Sequence, residues 1–215
     1  MLGRQARGAE QGQELGHADV PPHRPRALGP EQESLDGRAQ VGGSGLGGTP
    51  FVSLQPQYSL LARVIEQEIL PVCRQYGLGS VVYGALGGGV LNGRYSRDTR
   101  PDPDSRMGRL LSSPVPGARR WADALLTERH LDIAAGVADV AAELGLPPAQ
   151  VALAWVAGRP GVTSVLLGPR SVAQLTTGLA ALELTLPADA LAHLNRLSHL
   201  EQPPADGSFF HLRAS

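Results

Sequence analysis

The chain has 215 residues, 42 % of them hydrophobic and 18 % charged, with a formal net charge of −1. That length gives about one domain's worth of core, and the near-neutral balance excludes the electrostatic footprint of a partner such as nucleic acid or an acidic membrane. A lone cysteine, Cys73, excludes a disulfide framework and a cysteine-rich zinc site, and no apolar run approaches the roughly 18–20 residues of a membrane span. All 19 Lys+Arg residues are arginine. Any mechanism that needs a titratable side-chain amine is therefore excluded for this chain, because a guanidinium stays protonated at any usable pH.

Taken in order, residues 1–48 are rich in Gly, Pro, Arg, Gln and Glu and contain no Phe, Trp, Tyr, Ile or Cys. Such a stretch buries too little apolar surface to offset the entropy of ordering it, so a disordered head is expected, with at most transient helix over 4–15. No apolar block follows Arg4 and Arg7, so this head does not read as a secretory signal, and a soluble, cytoplasmic protein is expected. From Phe51 the pattern changes. Residues 51–55 read as a short strand. Residues 61–76 carry helical spacing through Val64, Ile65, Ile69 and Val72 and end at Gly77, with Pro71 expected to kink or divide the helix. Residues 80–83 read as a second strand between Gly79 and Gly84, followed by a long loop over 86–117.

Helical signal returns over 118–144, capped by Gly145, with a break near Thr127. Pro148 sits where a helix accepts it, in the first turn, and opens a helix to Ala157. Residues 162–167, β-branched and apolar, read as a third strand ending at Gly168. Ser171 N-caps a helix to about Ala181, and Pro187 opens a last one to about Leu200. The alternation of strands and helices indicates an α/β fold with parallel strands joined by helical crossovers.

Several strings read as ordinary structure. Gly43-x-Gly45-x-x-Gly48 matches a dinucleotide fingerprint, but it precedes a strand instead of joining a strand to a helix, so it reads as a flexible linker. His193 and His199, six apart on the last helix, do not share a face, and no carboxylate or thiol completes a metal set. Asp98, Asp102 and Asp104 lack the ordered spacing and terminal glutamate of a calcium loop. Cys73 reads as a packed thiol.

Two segments carry chemistry. Tyr83-Gly84-Ala85-Leu86-Gly87-Gly88-Gly89, then Asn92-Gly93-Arg94-Tyr95, put an aromatic at the carboxyl end of a strand before a run of glycines. That suits a flat ring stacked beside closely approached backbone. Gly168-Pro169-Arg170-Ser171, with Gln174 beyond, is a glycine turn feeding a helix N-terminus beside an arginine, the arrangement that attracts phosphate.

Together with Gln55-Pro56-Gln57-Tyr58-Ser59-Leu60-Leu61, Pro148-Ala149-Gln150-Val151-Ala152-Leu153-Ala154-Trp155 and Gly161-Val162-Thr163-Ser164-Val165-Leu166-Leu167-Gly168, these segments resemble the C-terminal half of the aldo/keto reductase family. The resemblance runs over about 50–200. It implies a (β/α)8 TIM-type barrel that binds NADP(H) without a Rossmann domain, here incomplete, with the three strands as its sixth, seventh and eighth. Three segments follow from it: a head at 1–48 unlike the family, a partial barrel at 49–202 and a C-terminal tail at 203–215. The resemblance implies that Gln55 holds the nicotinamide carboxamide and Tyr83 stacks on its ring. It implies that Gly84, Ala85, Leu86, Gly87 and Gly88 line the pyrophosphate and ribose, with Arg94 and Arg106 reaching in. Gly168, Arg170 and Gln174 are left for the 2′-phosphate end. Thr177 and Gly178 stand where the family usually has a carboxylate or amide pair, which implies a weaker grip on adenine.

The family's proton donor is a tyrosine working with a lysine, an aspartate and a histidine from the first four strands. Those strands have no counterpart here, so no catalytic residue is assigned and only weak NADP(H) binding is expected. An inactive truncated member is the reading favoured, its head fitting translation from a wrong start or a shifted frame. A half-enzyme completed by a second polypeptide and a non-catalytic NADP(H)-sensing or interaction module are the alternatives. Two unclosed strand edges imply self-association, with Phe51 to Leu54 exposed.

Overall fold

The computed structural model describes residues 51–199. The head, the Gly43–Gly48 string and the tail at 203–215 lie outside them, while the last helix, expected to run to about Leu200, ends at Leu197. Among the described residues a parallel three-stranded sheet runs in the order β1 (Ser53–Leu54), β2 (Gly79–Val82), β3 (Ser164–Val165). Ser53 pairs with Gly79 and Leu54 with Ser80, while Val81 pairs with Ser164 and Val82 with Val165. The two outer strands are shorter than their sequence patterns, while β2 keeps its expected length, one residue earlier than the pattern placed it. Each outer strand has one neighbour and makes a ladder only where that neighbour reaches it, whereas β2 is paired on both sides.

The helical expectation for 61–76 resolves into a 3₁₀ turn, Val64–Glu66, and a separate α1 (Ile69–Gln75). Pro71 kinks nothing. It falls in the first turn of α1, where a missing N–H costs no hydrogen bond, and the division comes ahead of it. The expected long loop holds more structure than its composition suggested: a 3₁₀ segment, Gly87–Asn92, and a short α2 (Arg106–Leu111) whose N-cap Ser105 accepts from the Gly108 N–H.

The remaining helices follow their local signals. α3 (Pro116–Leu125) gives way at Thr127, whose hydroxyl caps α4 (Glu128–Leu144) by accepting from His130 N. Gly145 ends α4 in the left-handed conformation at φ +65°. Proline opens α5 (Pro148–Ala157), and Val151 to Val156 are all buried, so this helix is wrapped on every side by α4, α6, β3 and the 87–92 turn. Trp155 at its centre is fully buried. Ser171 caps α6 (Val172–Ala180), and α7 (Ala188–Leu197) closes the described chain and packs on α4, leaving His199 beyond the helix that carries His193.

The flanks of the sheet remain open. Phe51, Val52 and Leu54 on the β1 side are 74 %, 75 % and 44 % exposed, and α6 presents Val172, Leu175 and Leu179 outward. No single helix among the described residues is long and apolar enough to cross a membrane.

Candidate functional site

Parallel strands bring their carboxyl ends to one side of a sheet, and the residues that follow them are neighbours there. Gln55 follows β1, Tyr83 follows β2, and Gly168 stands shortly after β3, where Leu166 N donates to Val82 O at 2.8 Å. Tyr83 is held through its peptide group: its N–H donates to Pro56 O and its carbonyl accepts from Tyr58 N, both at 3.0 Å. The residue opposite Tyr83 is thus Gln57, not Gln55. The Gln57 side chain also lies over Gly84, where an added Cβ would come 3.4 Å from Gln57 Cγ. Gln55 is exposed.

Past Tyr83 the chain turns through Gly84 at φ +73°, Gly87 at +55°, Gly88 at +67° and Gly89 at +100°. That backbone is one only glycine adopts without strain. Ala85 and Gly87 are buried, Leu86 partly so, and a Cβ on Gly88 would sit 2.9 Å from Trp121 Cη2 and from Leu125 Cδ1. α3 therefore packs directly on the glycine turn. Trp121, which carried no signal in the sequence, also stacks the Arg106 guanidinium at 5.0 Å from its ring centre, bringing Arg106 to the turn. Arg94 is exposed after Gly93, a glycine that packs against Pro148 at the start of α5.

At the other end of the site Gly168 and Arg170 are exposed, and a Cβ added at Gly168 would meet nothing within 4 Å beyond its chain neighbours. Gln174 is engaged within its own helix start, where its Oε1 accepts from Arg170 N at 2.8 Å and its N–H donates to Ser171 Oγ at 3.3 Å. This is a variant of the Ser-x-x-Gln capping box, a pattern the sequence contains. Thr177 spends its hydroxyl on Ala173 O, 2.9 Å away.

Beneath Tyr83 lies a buried polar cluster that sequence reasoning missed. The Tyr58 hydroxyl donates to Glu66 Oε1 at 2.5 Å and accepts from Arg159 Nε at 3.2 Å. Arg63 grips both Glu66 oxygens at 2.9 Å and also donates to Asn195 O and Ser198 Oγ. Asn195 Oδ1 accepts from Trp155 Nε1 and Arg159, and both guanidinium groups stack on the Trp155 ring. Burial first, and then the Glu66 hydrogen bond, push the Tyr58 phenol well above its ordinary range. Burial alone would raise the Glu66 carboxyl. Hydrogen bonds from Arg63 and Tyr58 override it and hold the group below its ordinary value. The only sequence signal was the spacing of Tyr58, Arg63 and Glu66, since Arg159, Asn195 and Ser198 lie roughly a hundred residues or more along the chain.

The described residues contain no group of three or more His, Cys, Asp or Glu able to hold a metal. Burial raises the Cys73 thiol, in keeping with a packed residue. For a nicotinamide dinucleotide the residues present offer a half-exposed ring in Tyr83, a glycine turn beside it and an exposed arginine at a helix start. At the end of the turn the Asn92 side-chain oxygen is buried without a hydrogen-bond partner.

The aldo/keto reductase family model matches residues 42–199. The chain belongs to that family. The match takes in the Gly43–Gly48 string. This family member is 36 % identical over 145 residues to the uncharacterized oxidoreductase YrpG of Bacillus subtilis, covering 67 % of this chain and 40 % of that one. It is 34 % identical over 131 residues to a probable voltage-gated potassium channel subunit beta of Oryza sativa, covering 60 % and 38 %. Protein tas of Escherichia coli is 33 % identical over 159 residues, covering 72 % and 42 %. The chain thus spans about two fifths of the length of these relatives. Among solved structures, glycerol dehydrogenase from Gluconobacter oxydans matches with a TM-score of 0.52 at 23 % identity, over 67 % of this chain and 41 % of its own, which shows the shared TIM-barrel-family fold.

Proposed function

We propose that this chain is the cofactor-binding part of an aldo/keto reductase barrel, its last three βα units, and that it binds NADP(H) without reducing carbonyls by itself. The observation that carries this reading is the common placement of Tyr83, the glycine turn and the Gly168–Ser171 segment beyond the carboxyl ends of adjacent parallel strands. Tyr83 would lie on the nicotinamide, with Gln55 or its neighbour Gln57 at the carboxamide. The turn at Gly84 to Gly88 and Arg106 would serve the pyrophosphate, and Arg170 the 2′-phosphate. Gln174 and Thr177, bonded within their own helix, would add little, so binding is weak. When bound, the cofactor supplies a hydride.

The missing element is the acid. The chain holds no lysine to lower a tyrosine pKa. Of its four tyrosines, Tyr58 is made a poorer acid by burial and then by Glu66, and Tyr95 is buried with its hydroxyl accepting from Met107 N. Tyr76 ends α1 ahead of β2, at the other end of that strand from Tyr83. Tyr83 is taken up by stacking. General acid catalysis alone is typically worth about 10²–10⁴ in rate. The test is to titrate the 215-residue chain with NADPH and follow its oxidation with a reactive nitrobenzaldehyde. Saturable binding without turnover is expected, and robust turnover would refute the reading.

A second reading is favoured by the open flanks, where Phe51, Val52, Leu54, Val172, Leu175 and Leu179 face outward. On it, a separate polypeptide supplies the complementary units and completes an active enzyme. Co-expression with the upstream half of a related reductase tests it. Turnover restored by that half supports completion, and its absence leaves the cofactor-binding reading alone.

A further inference from the structure

Tyr83 is hydrogen-bonded through its peptide group. The residue is 44 % exposed, and at the next one the backbone swings into the left-handed region at Gly84. Its N–H and carbonyl are both taken by the 56–58 segment. Within that segment Pro56 and Tyr58 are buried, and Tyr58, with no exposed surface, carries the segment's side-chain hydrogen bonds. The Tyr58 ring stands 5.5 Å from Trp155 at a tilt of 38°, and its hydroxyl lies between Glu66 and Arg159. Those two groups are fastened to α7 and its C-cap through Arg63, Asn195 and Ser198, and both arginines stack on Trp155 of α5. Mechanical continuity therefore runs from the helix layer, through one phenol and the backbone hydrogen bonds of its segment, to the exposed residue.

We propose that Tyr58 is a positioning residue for the nicotinamide end of the cofactor: its buried phenol sets the 56–58 segment, whose peptide groups hold the Tyr83 ring in its stacking place. The proposal rests on the reading that Tyr83 lies against the nicotinamide. The adenosine end, near Arg170, is outside this chain of contacts, so the role has a signature that general destabilisation does not share. Losing the phenol should weaken a ligand that contains the nicotinamide and spare one that lacks it.

The experiment compares the affinity of the full chain for NADPH and for adenosine 2′,5′-bisphosphate in the unaltered protein, Tyr58→Phe, Tyr83→Ala and Val137→Ala. Val137 is fully buried in α4, contributes no group to the cluster, and controls for loss of stability. Tyr58→Phe keeps the ring and loses both hydroxyl hydrogen bonds, so NADPH should bind about three- to tenfold more weakly while the bisphosphate is held within about twofold. If Tyr58→Phe does not fold, Arg159→Lys carries the same comparison, because it keeps the charge and withdraws the Nε–H from the phenol. Equal weakening of both ligands, no weakening of either, or the same selectivity in Val137→Ala overturns the proposal. Should Tyr83→Ala be selective and Tyr58→Phe not, the positioning role alone fails. If Tyr83→Ala leaves NADPH affinity unchanged, the stacking reading falls and takes this inference with it.

Discussion

Replacing Gly108 with alanine perturbs the loop that delivers Arg106 to the glycine turn, and the structure sets the size of the effect. Gly108 is buried in α2, and an ideal Cβ there would stand 2.0 Å from the Asp102 carbonyl oxygen, 2.7 Å from its carbon and 2.8 Å from Pro103 Cα. All three are backbone atoms, so no side-chain rotation relieves the clash. A carbon settles against a carbonyl oxygen at about 3.3 Å, so the 102–103 backbone must retreat by roughly 1 Å or more. That retreat pulls Asp102 O from Ser105 N, now 2.9 Å away, and loosens the Ser105 hydroxyl that caps α2 through Gly108 N at 3.0 Å.

Overpacking costs about 1–3 kcal/mol, while the lost hydrogen bond and the cap cost about 1 kcal/mol each. Alanine returns about 1 kcal/mol of helix propensity, for a net loss of about 2–4 kcal/mol. At about 2–4 °C per kcal/mol for a domain of this size, the melting temperature should fall by about 4–16 °C. Gly117→Ala is the internal comparison. It lies in α3 with nothing within 4 Å of an added Cβ, so it should gain about 0.5–1 kcal/mol. Thermal unfolding followed by circular dichroism reads both. Gly108→Ala melting at or above the unaltered protein would show that the 102–105 loop does not press on α2, and the role of this glycine would have to be abandoned.

Arg170→Ala should remove any preference for NADPH over NADH while leaving NADH binding unchanged, since Arg170 is exposed at the start of α6; a retained preference in fluorescence titration would place the phosphate contact elsewhere. The Glu66 carboxyl is held below its ordinary 4.5 in the folded chain, so its stabilisation is fully present above that value and lost as pH falls through the lower, folded one. Urea unfolding at a series of pH values should show that acid-side loss shrink in Glu66→Gln, and an identical slope in both proteins would contradict the assignment. Val52, 75 % exposed beside the β1 edge, should drive concentration-dependent association that Val52→Lys suppresses; a monodisperse unaltered chain in sedimentation velocity would refute this.

Local chemistry made much of this chain readable from its residues. Thr127 and Ser171 announce helix starts because a short side chain must satisfy orphan N–H groups, and Gly145 announces an end because a left-handed residue is needed there. The parallel α/β order followed from the alternation of short apolar strands with helical periods, and the family followed from motifs of several consecutive residues. Gln174 shows a local rule left unused: Ser171 reads as an N-cap from the sequence alone, and the return contact of a glutamine three residues on follows from the same spacing. The lengths of the two outer strands were not legible, because a residue pairs only where a neighbour reaches it, and for Ser164–Val165 that neighbour lies eighty-odd positions earlier, at Val81 and Val82. The same holds for Trp121 over Gly88 and Arg106, and for Tyr58 between Glu66 and Arg159. A cap is decided by atoms within one turn of the chain. Which phenol meets which guanidinium is decided by packing among helices whose relative placement no short window of sequence encodes.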